Sequence, residues 1–294
     1  MILPKFDFFE PGSLEEACDL LGQLGSGGRL LAGGTDLLVN MKKRLLSPRN
    51  VISLGAIDEM KKIDISNGTI RIGACVTAGD LAASATLTQL LPSLWEGASS
   101  LGSPLIRNLA TIGGNLVTAR PAADLPPPLI ACGASVVLKK NSGERSLALE
   151  SFFRGPGETL RKEDEIVTSV LVEKPPPNSG AAYIKLGLRN ALEISLVNVA
   201  ACISLNPGGT IQKSRVVLGA VSPTPIRALS AEKTLSGEKP SESLFLEAAR
   251  NAARDCNPID DYRGSAEYRR EMVKVLTRRA LKRAFERATG PRSL

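Results

Sequence analysis

The chain has 294 residues, 37 Lys and Arg against 30 Asp and Glu, and no histidine. That length suits two or three domains and buries enough surface to fold without disulfides or metal. The missing histidine excludes Ser-His-Asp and Cys-His nucleophiles, HExxH zinc sites and His-ligated haem, so any chemistry uses other groups or a cofactor.

The first stretch, MILPKFDFFEPGS, has no apolar run long enough for a signal peptide. No segment approaches the ~20 apolar residues of a membrane span. A cytoplasmic chain with no membrane span is expected. SLEEACDLLGQL (13–24) reads as a helix, with Ser13 as cap, Glu16 closing a capping box, and Leu14, Ala17, Leu20, Leu21 and Leu24 on one face. RLLAGGTDLLVNMKK follows as a short strand, a Gly-Gly bend and a second apolar stretch, and NVISLG is another strand.

GTIRIGACVT alternates like a strand, and Thr77 with Asp80 caps the next helix. LLPSLWEGASSLG reads as a helix with Trp95 in its packed face. Then comes ATIGGNLVT (110–118), followed by ARPAADLPPPLIACG, where three consecutive prolines are expected to prevent regular structure. ASVVLKK and EIVTSVLVE read as strands. KPPPNSG (174–180) is the clearest boundary, stiffened by prolines and ended by Asn-Ser-Gly. Beyond it, AAYIKLGL, VNVAACISL and TIQKSRVVLGAV read as strands, followed by two helices, SESLFLEAARNAARD and EYRREMVKVLTRRALKRAFERA. Strands followed by helices indicate an α+β domain.

The last helix is basic. From Tyr262 onward there are ten Lys and Arg against three Glu, which accounts for the whole net charge of +7. Met272, Val275, Leu276, Ala280 and Phe285 form its apolar side. Its arginines form either a solvated face or a docking surface for an acidic partner. Nucleic-acid binding is disfavoured, because few aromatics are present to stack bases. The five cysteines (Cys18, Cys75, Cys132, Cys202 and Cys256) are more than fifty residues apart, with no CxxC. They exclude a local zinc or iron–sulfur motif and read as small reduced hydrophobes.

The two Gly-Gly segments carry the chemistry. Neither matches GxGxxG or GxxxxGK[ST], so the Rossmann and P-loop readings fail on spacing. Paired glycines permit unusual backbone angles and remove Cβ atoms, so each bend can turn successive N–H groups into an anion-binding nest. Thr35, Asp36, Thr111 and Asn115 add polar side chains. With no basic residue in either motif, anion binding would rest on backbone dipoles. Each motif taken alone is equally a tight turn between strands.

LAGGTDLLVNMK and IRNLATIGGNLVTARPAADLPPPLIACGA together resemble the FAD-binding (medium) subunit of the molybdenum hydroxylases, the family of the carbon monoxide dehydrogenase medium subunit and the xanthine dehydrogenase flavin domain. The likeness continues through YIKLGLRNALEISLVNVAACISL and covers essentially the whole chain. It implies an α+β fold. A two-part FAD-binding domain of the p-cresol methylhydroxylase type would span 1–55 and 56–175, and a C-terminal α+β domain, an antiparallel sheet with helices, 176–294. It also implies that Leu31, Ala32, Gly33, Gly34, Thr35, Asp36 and Leu37 enclose the FAD pyrophosphate with Thr111, Ile112, Gly113, Gly114 and Asn115. Asp124 would lie near the adenosine end. Lys185 would lie beside the isoalloxazine ring, stabilising negative charge at the N1–C2=O edge. Leu101 and Val167 would line the flavin.

The resemblance further implies an electron-transfer subunit with no catalytic residue or metal ligand of its own. A large partner would hold the molybdenum pterin cofactor, and a small partner [2Fe-2S] clusters, in a dimer of heterotrimers. FAD would then pass electrons to a terminal acceptor. One segment departs from the pattern. Related flavin loops often carry paired arginines and acidic residues, whereas here Arg189 is followed by Asn190, Ala191 and Leu192, with Glu193 the carboxylate nearby. NAD as acceptor is therefore in doubt, and a quinone, a carrier protein or oxygen stays open. No cysteine-rich insertion is present for the extra cluster of 4-hydroxybenzoyl-CoA reductase relatives. The residues alone also admit a stand-alone FAD oxidoreductase or a non-enzymatic nucleotide-binding module.

Overall fold

A computed structural model describes residues 2–189 and 192–290. The chain opens with β1 (Asp7–Phe9), α1 (Leu14–Leu24), β2 (Gly28–Leu31), α2 (Leu37–Lys42) and β3 (Asn50–Ser53). The three strands form a parallel sheet in the order β1-β3-β2. Ser13 caps α1 as expected, accepting from the Glu16 amide. Glu16 turns its carboxylate to the Gly12 amide at 2.8 Å, one residue before the position a capping box would use.

Next come β4 (Ile63–Ser66), β5 (Thr69–Gly73), α3 (Ala78–Ala83), α4 (Ala85–Leu90), α5 (Pro92–Ser100), α6 (Pro104–Arg107), α7 (Ile112–Thr118) and α8 (Pro126–Ala131). They are followed by β6 (Ser135–Lys140), β7 (Gly143–Ala148), β8 (Phe153–Gly155), β9 (Glu158–Thr159) and β10 (Ile166–Glu173). Strands β4-β5-β10-β6-β7 make an antiparallel sheet, and β8 and β9 a small hairpin. The β4–β5 turn places both Asn67 and Gly68 at positive φ, a two-residue hairpin matched to strand twist. Thr77 and Asp80 complete a reciprocal capping box at α3. Trp95 is half-buried on α5 and donates its indole N–H to the Ala82 carbonyl.

The three prolines do not exclude regular structure. Pro126, Pro127 and Pro128 form the first turn of α8, where no helical acceptor awaits an N–H and a fixed φ favours the helix. All three are buried.

The last part contains β11 (Ser179–Leu186), β12 (Val197–Leu205), β13 (Ile211–Gly219), β14 (Ile226–Arg227), α9 (Leu229–Leu235), α10 (Glu242–Asp255) and α11 (Ala266–Thr289). Its four strands pair antiparallel in sequence order; α11 packs on β11 and β12, α9 on β13, and α10 lies against α9 and α11. The buried side of α11 is formed by Val273, Leu276, Ala280, Leu281 and Ala284, with Met272, Val275 and Phe285 only half-buried beside it. Arg269 also turns inward and binds the Leu196 and Ala220 carbonyls, so the arginines are not confined to the solvent side.

Two hydrophobic cores result. One runs continuously from α1 and β3 through the five-stranded sheet and takes in Tyr183, Ala200 and Val217 of the C-terminal sheet. The other lies between that sheet and the last helices.

Candidate cofactor site

A cavity of about 1050 Å³ opens along the junction of these parts, large for a small-molecule site. Its walls include Ala32 to Leu37, Leu101, Thr111, Gly113, Gly114, Asn115, Asp124 and Val167. Both glycine motifs therefore border one space, although their Gly-Gly pairs are eighty residues apart.

The first motif follows β2 and turns into α2. Gly34 has φ +71°, a conformation that disfavours residues with a Cβ. Gly33 allows close approach instead, because a Cβ there would run into the Leu109 carbonyl. Among the described residues, the backbone N–H groups of Gly33, Gly34, Thr35 and Asp36 donate to no protein group. Asp36 accepts from Asn40 at 3.0 Å and from Arg120 at 3.5 Å.

The second motif is not a bend. Thr111 is the N-cap of α7, and Gly113 and Gly114 lie in its first turn. The N–H groups of Ile112, Gly113, Gly114 and Asn115 are bonded to the Val76 carbonyl, the Ala74 carbonyl, Thr111 Oγ1 and the Thr111 carbonyl. The expected nest is thus absent here. Gly113 is instead required by packing, since a Cβ would lie 2.7 Å from that of Ala74. At Gly114 a Cβ would meet only Thr111 Oγ1, at 2.9 Å.

Asn115 carries a buried side-chain oxygen with no partner among the described residues. An orphaned buried acceptor on a cavity wall fits a ligand donor, because leaving it unmet costs about 1–3 kcal/mol. Open N–H groups, this acceptor and apolar Leu101 and Val167 together fit a ligand with anionic, hydrogen-bonding and aromatic parts.

Three expected residues do not reach the cavity. Leu31 is engaged in the β2–β3 ladder, and Ile112 is fully buried in the core. Lys185 lies behind the wall, its Nζ 2.8 Å from Asp124 Oδ2 and 3.1 Å from the Ser100 carbonyl. That pair also corrects the expected separation of roles. Asp124 and Lys185 touch, so they cannot serve opposite ends of an extended dinucleotide. Tyr183 and Ser195 each donate to Asp124 Oδ1 at 2.8 Å. Burial and the adjacent carboxylate push the Tyr183 hydroxyl well above its usual value, which keeps it a neutral donor. Neither partner was foreseen, since residues 183, 185 and 195 reach residue 124 only when the C-terminal sheet packs against α5 and α8.

The cavity is also more basic than its motifs. Arg29, Arg120 and Arg161 line it, so charge at this site does not rest on backbone dipoles alone. Arg29 adjoins the first motif in sequence, whereas Arg161 gave no local signal. In the departing loop, Asn190 and Ala191 lie outside the described residues. Leu192, Glu193 and Ile194 border the cavity, and Glu193 is tied to Arg189 at 2.7 Å. Of the cysteines, only Cys75 is among the residues that line the cavity. Cys18, Cys75 and Cys256 are buried, and desolvation pushes Cys75 to about 11 and Cys202 to about 12.

Comparison with known proteins defines the class. Residues 4–175 match the FAD-binding domain in molybdopterin dehydrogenase, and residues 182–284 the CO dehydrogenase flavoprotein C-terminal domain. The chain belongs to the FAD-binding medium subunits of the molybdenum hydroxylases. It is 35% identical to the carbon monoxide dehydrogenase medium chain of Hydrogenophaga pseudoflava, over 98% of this chain and 99% of that one. It is 30% identical to the xanthine dehydrogenase FAD-binding subunit of Escherichia coli O157:H7, over 97% and 99%. The structure of carbon monoxide dehydrogenase from H. pseudoflava aligns with a TM-score of 0.93 at 36% identity, covering 98% of this chain and 99% of that one. Quinoline 2-oxidoreductase from Pseudomonas putida 86 aligns at 0.92 with 28% identity, over 99% and 100%. The p-cresol methylhydroxylase-type, α+β architecture expected from the sequence agrees with these matches, with the first sheet parallel and the larger two antiparallel.

Proposed function

We propose that this chain is the electron-transfer subunit of a molybdenum-dependent dehydrogenase. A large partner would hold the molybdenum pterin cofactor, a small partner would supply electrons from [2Fe-2S] clusters, and two such trimers would associate. The observation that carries the reading is the first motif's four open N–H groups, bordering the same cavity as the orphaned Asn115 oxygen. FAD bound there would supply exchange between one-electron and two-electron carriers. Gly33 to Asp36 would bind its pyrophosphate, and Asn115 would meet one of its donors. Leu101 and Val167, both nearly buried, would exclude water from the ring. Asp124, held from behind by Tyr183, Ser195 and Lys185, would present a fixed carboxylate edge to the same space. Segments 1–55 and 56–175 would form the two halves of the FAD-binding part, and 176–294 its cover. The acceptor class stays open between NAD, a quinone, a carrier protein and oxygen.

The first test is the visible spectrum of the purified chain. Flavin bands in the isolated chain, with iron–sulfur absorption only alongside co-purifying partners, are expected. A chain that cannot be loaded with FAD overturns the reading. Steady-state substrate oxidation by the isolated, FAD-loaded chain would replace the relay with a stand-alone oxidoreductase.

A further inference from the structure

Two cavity arginines resemble an anion clamp more than a structural pair. Arg29 Nη1 donates to the Ser26 and Gly28 carbonyls, each at 3.0 Å. Arg161 Nη1 donates to the carbonyls of Lys162, Glu163 and Glu165, the last at 2.7 Å. In both, one nitrogen is anchored to backbone, while Nε and Nη2 have no partner among the described residues. Neither guanidinium is ion-paired there; Arg29 is exposed at the cavity mouth, but Arg161 is half-buried, where most of the other buried or half-buried arginines are paired, such as Arg145 with Glu165 and Arg227 with Glu232. Burial, followed by the Arg29 charge, depresses the pKa of Arg161 against the opposing pull of Glu165, Glu163 and Asp164, and both arginines line the same cavity with no carboxylate hydrogen-bonded to either guanidinium among the described residues. Like charges brought together at a cavity wall are unfavourable until an anion joins them. Two half-anchored guanidiniums lose little freedom on binding one, and their free edges suit paired phosphate oxygens.

We infer that Arg29 and Arg161 form a two-arginine clamp for the diphosphate of the dinucleotide cofactor, working beside the open N–H groups of the first motif. The clamp rests on the FAD reading above. It adds a charged contribution to binding that neither glycine motif contains. It also places part of the diphosphate's recognition on the β9–β10 connection, 128 residues beyond the first motif's Gly33.

The test uses the full chain stripped of flavin. Binding of FAD and of riboflavin, which carries no phosphate, is followed by flavin fluorescence at low and high salt. In the unchanged chain, FAD binds and loosens as salt rises. Arg29→Met and Arg161→Met are each expected to weaken FAD by about tenfold to a hundredfold, the range of a charge-assisted hydrogen bond. Each should also flatten the salt dependence and leave riboflavin affinity unchanged. Arg161 ties down the 162–165 turn, so the melting temperature of each stripped variant is measured alongside. If Arg161→Met melts early, Arg29→Met, on an exposed side chain anchored only to the Ser26 and Gly28 carbonyls beside it in sequence, decides the matter. FAD affinity within twofold of the unchanged chain in a folded Arg29→Met, with the same salt dependence, overturns the clamp and leaves the FAD reading standing. An unchanged chain that binds no FAD overturns the FAD reading itself.

Discussion

Gly33-Gly34 and Gly113-Gly114 border one cavity and share a sequence pattern, yet they meet different physical demands. The first pair leaves its N–H groups free and uses a positive φ at Gly34. The second pair has every N–H bonded inside the protein and ordinary helical geometry, and Gly113 lets α7 approach Ala74. A glycine pair is therefore two separate signals, conformational freedom and absence of bulk, and sequence does not say which is in use. One motif would bind through its backbone, while the other shapes the wall and offers a single side-chain oxygen.

Substitutions can break this comparison. The largest effect is expected at the close approaches. Gly33→Ala and Gly113→Ala each drive a Cβ into backbone, and should cost about 3 kcal/mol or more. Thermal unfolding of the stripped chain measures this, and a melting temperature within a degree or two of the parent would refute the packing role. Gly114→Val should separate function from fold. Its Cβ meets only the Thr111 hydroxyl and its methyls extend beside the cavity, so FAD retention should be lost while cooperative unfolding persists. Unchanged flavin occupancy would sink the site.

The capping threonine sharpens the contrast at smaller scale. Thr111→Ala removes the α7 cap and should cost about 1 kcal/mol whether or not flavin is present. Thr35→Ala removes a side chain with no partner among the described residues, so it should spare stripped-chain stability and weaken FAD alone. Equal behaviour of the two would erase the distinction between the motifs. The smallest effect lies outside both. Hydrogen bonds from Arg263 hold Asp261 down at about 2. Its ordinary value is higher, so its contribution is present above pH ~4 and fades as pH falls towards 2. Asp261→Asn should flatten that part of the stability profile by about 1 kcal/mol after solvent screening, and an unchanged acid limb would argue against it.

Much of this was legible beforehand because it is local. The Ser13 and Thr77 caps, the long strands and the boundary near 174–180 depend on neighbours within a few residues. The α8 helix was missed because three prolines read as a breaker, although a first turn needs no N–H. The β4 strand was missed too, although Asn67-Gly68 is a strong hairpin signal. Other features had no local trace. The Asp124 cluster joins residues 59 to 71 positions apart, and such pairings exist only once sheets assemble. The same holds for Arg161. Sequence likeness identified the cofactor, but only the fold showed that Lys185 and Asp124 stand together.

That cluster bears on how the molecule could be divided. Asp124 belongs to the first matched segment, while Tyr183, Lys185 and Ser195 all belong to the second. The Pro-rich connector at 174–180 looks like a natural place to cut the gene in two. A fragment ending there would expose a carboxylate built for three partners it no longer has. The complementary fragment would keep a lysine on a strand with its counter-ion gone, and breaking a buried pair in this way typically costs 3–5 kcal/mol. For anyone engineering a minimal flavin module, a useful piece of this protein therefore extends past the connector and keeps the C-terminal sheet, whose Tyr183, Ala200 and Val217 also complete the first core.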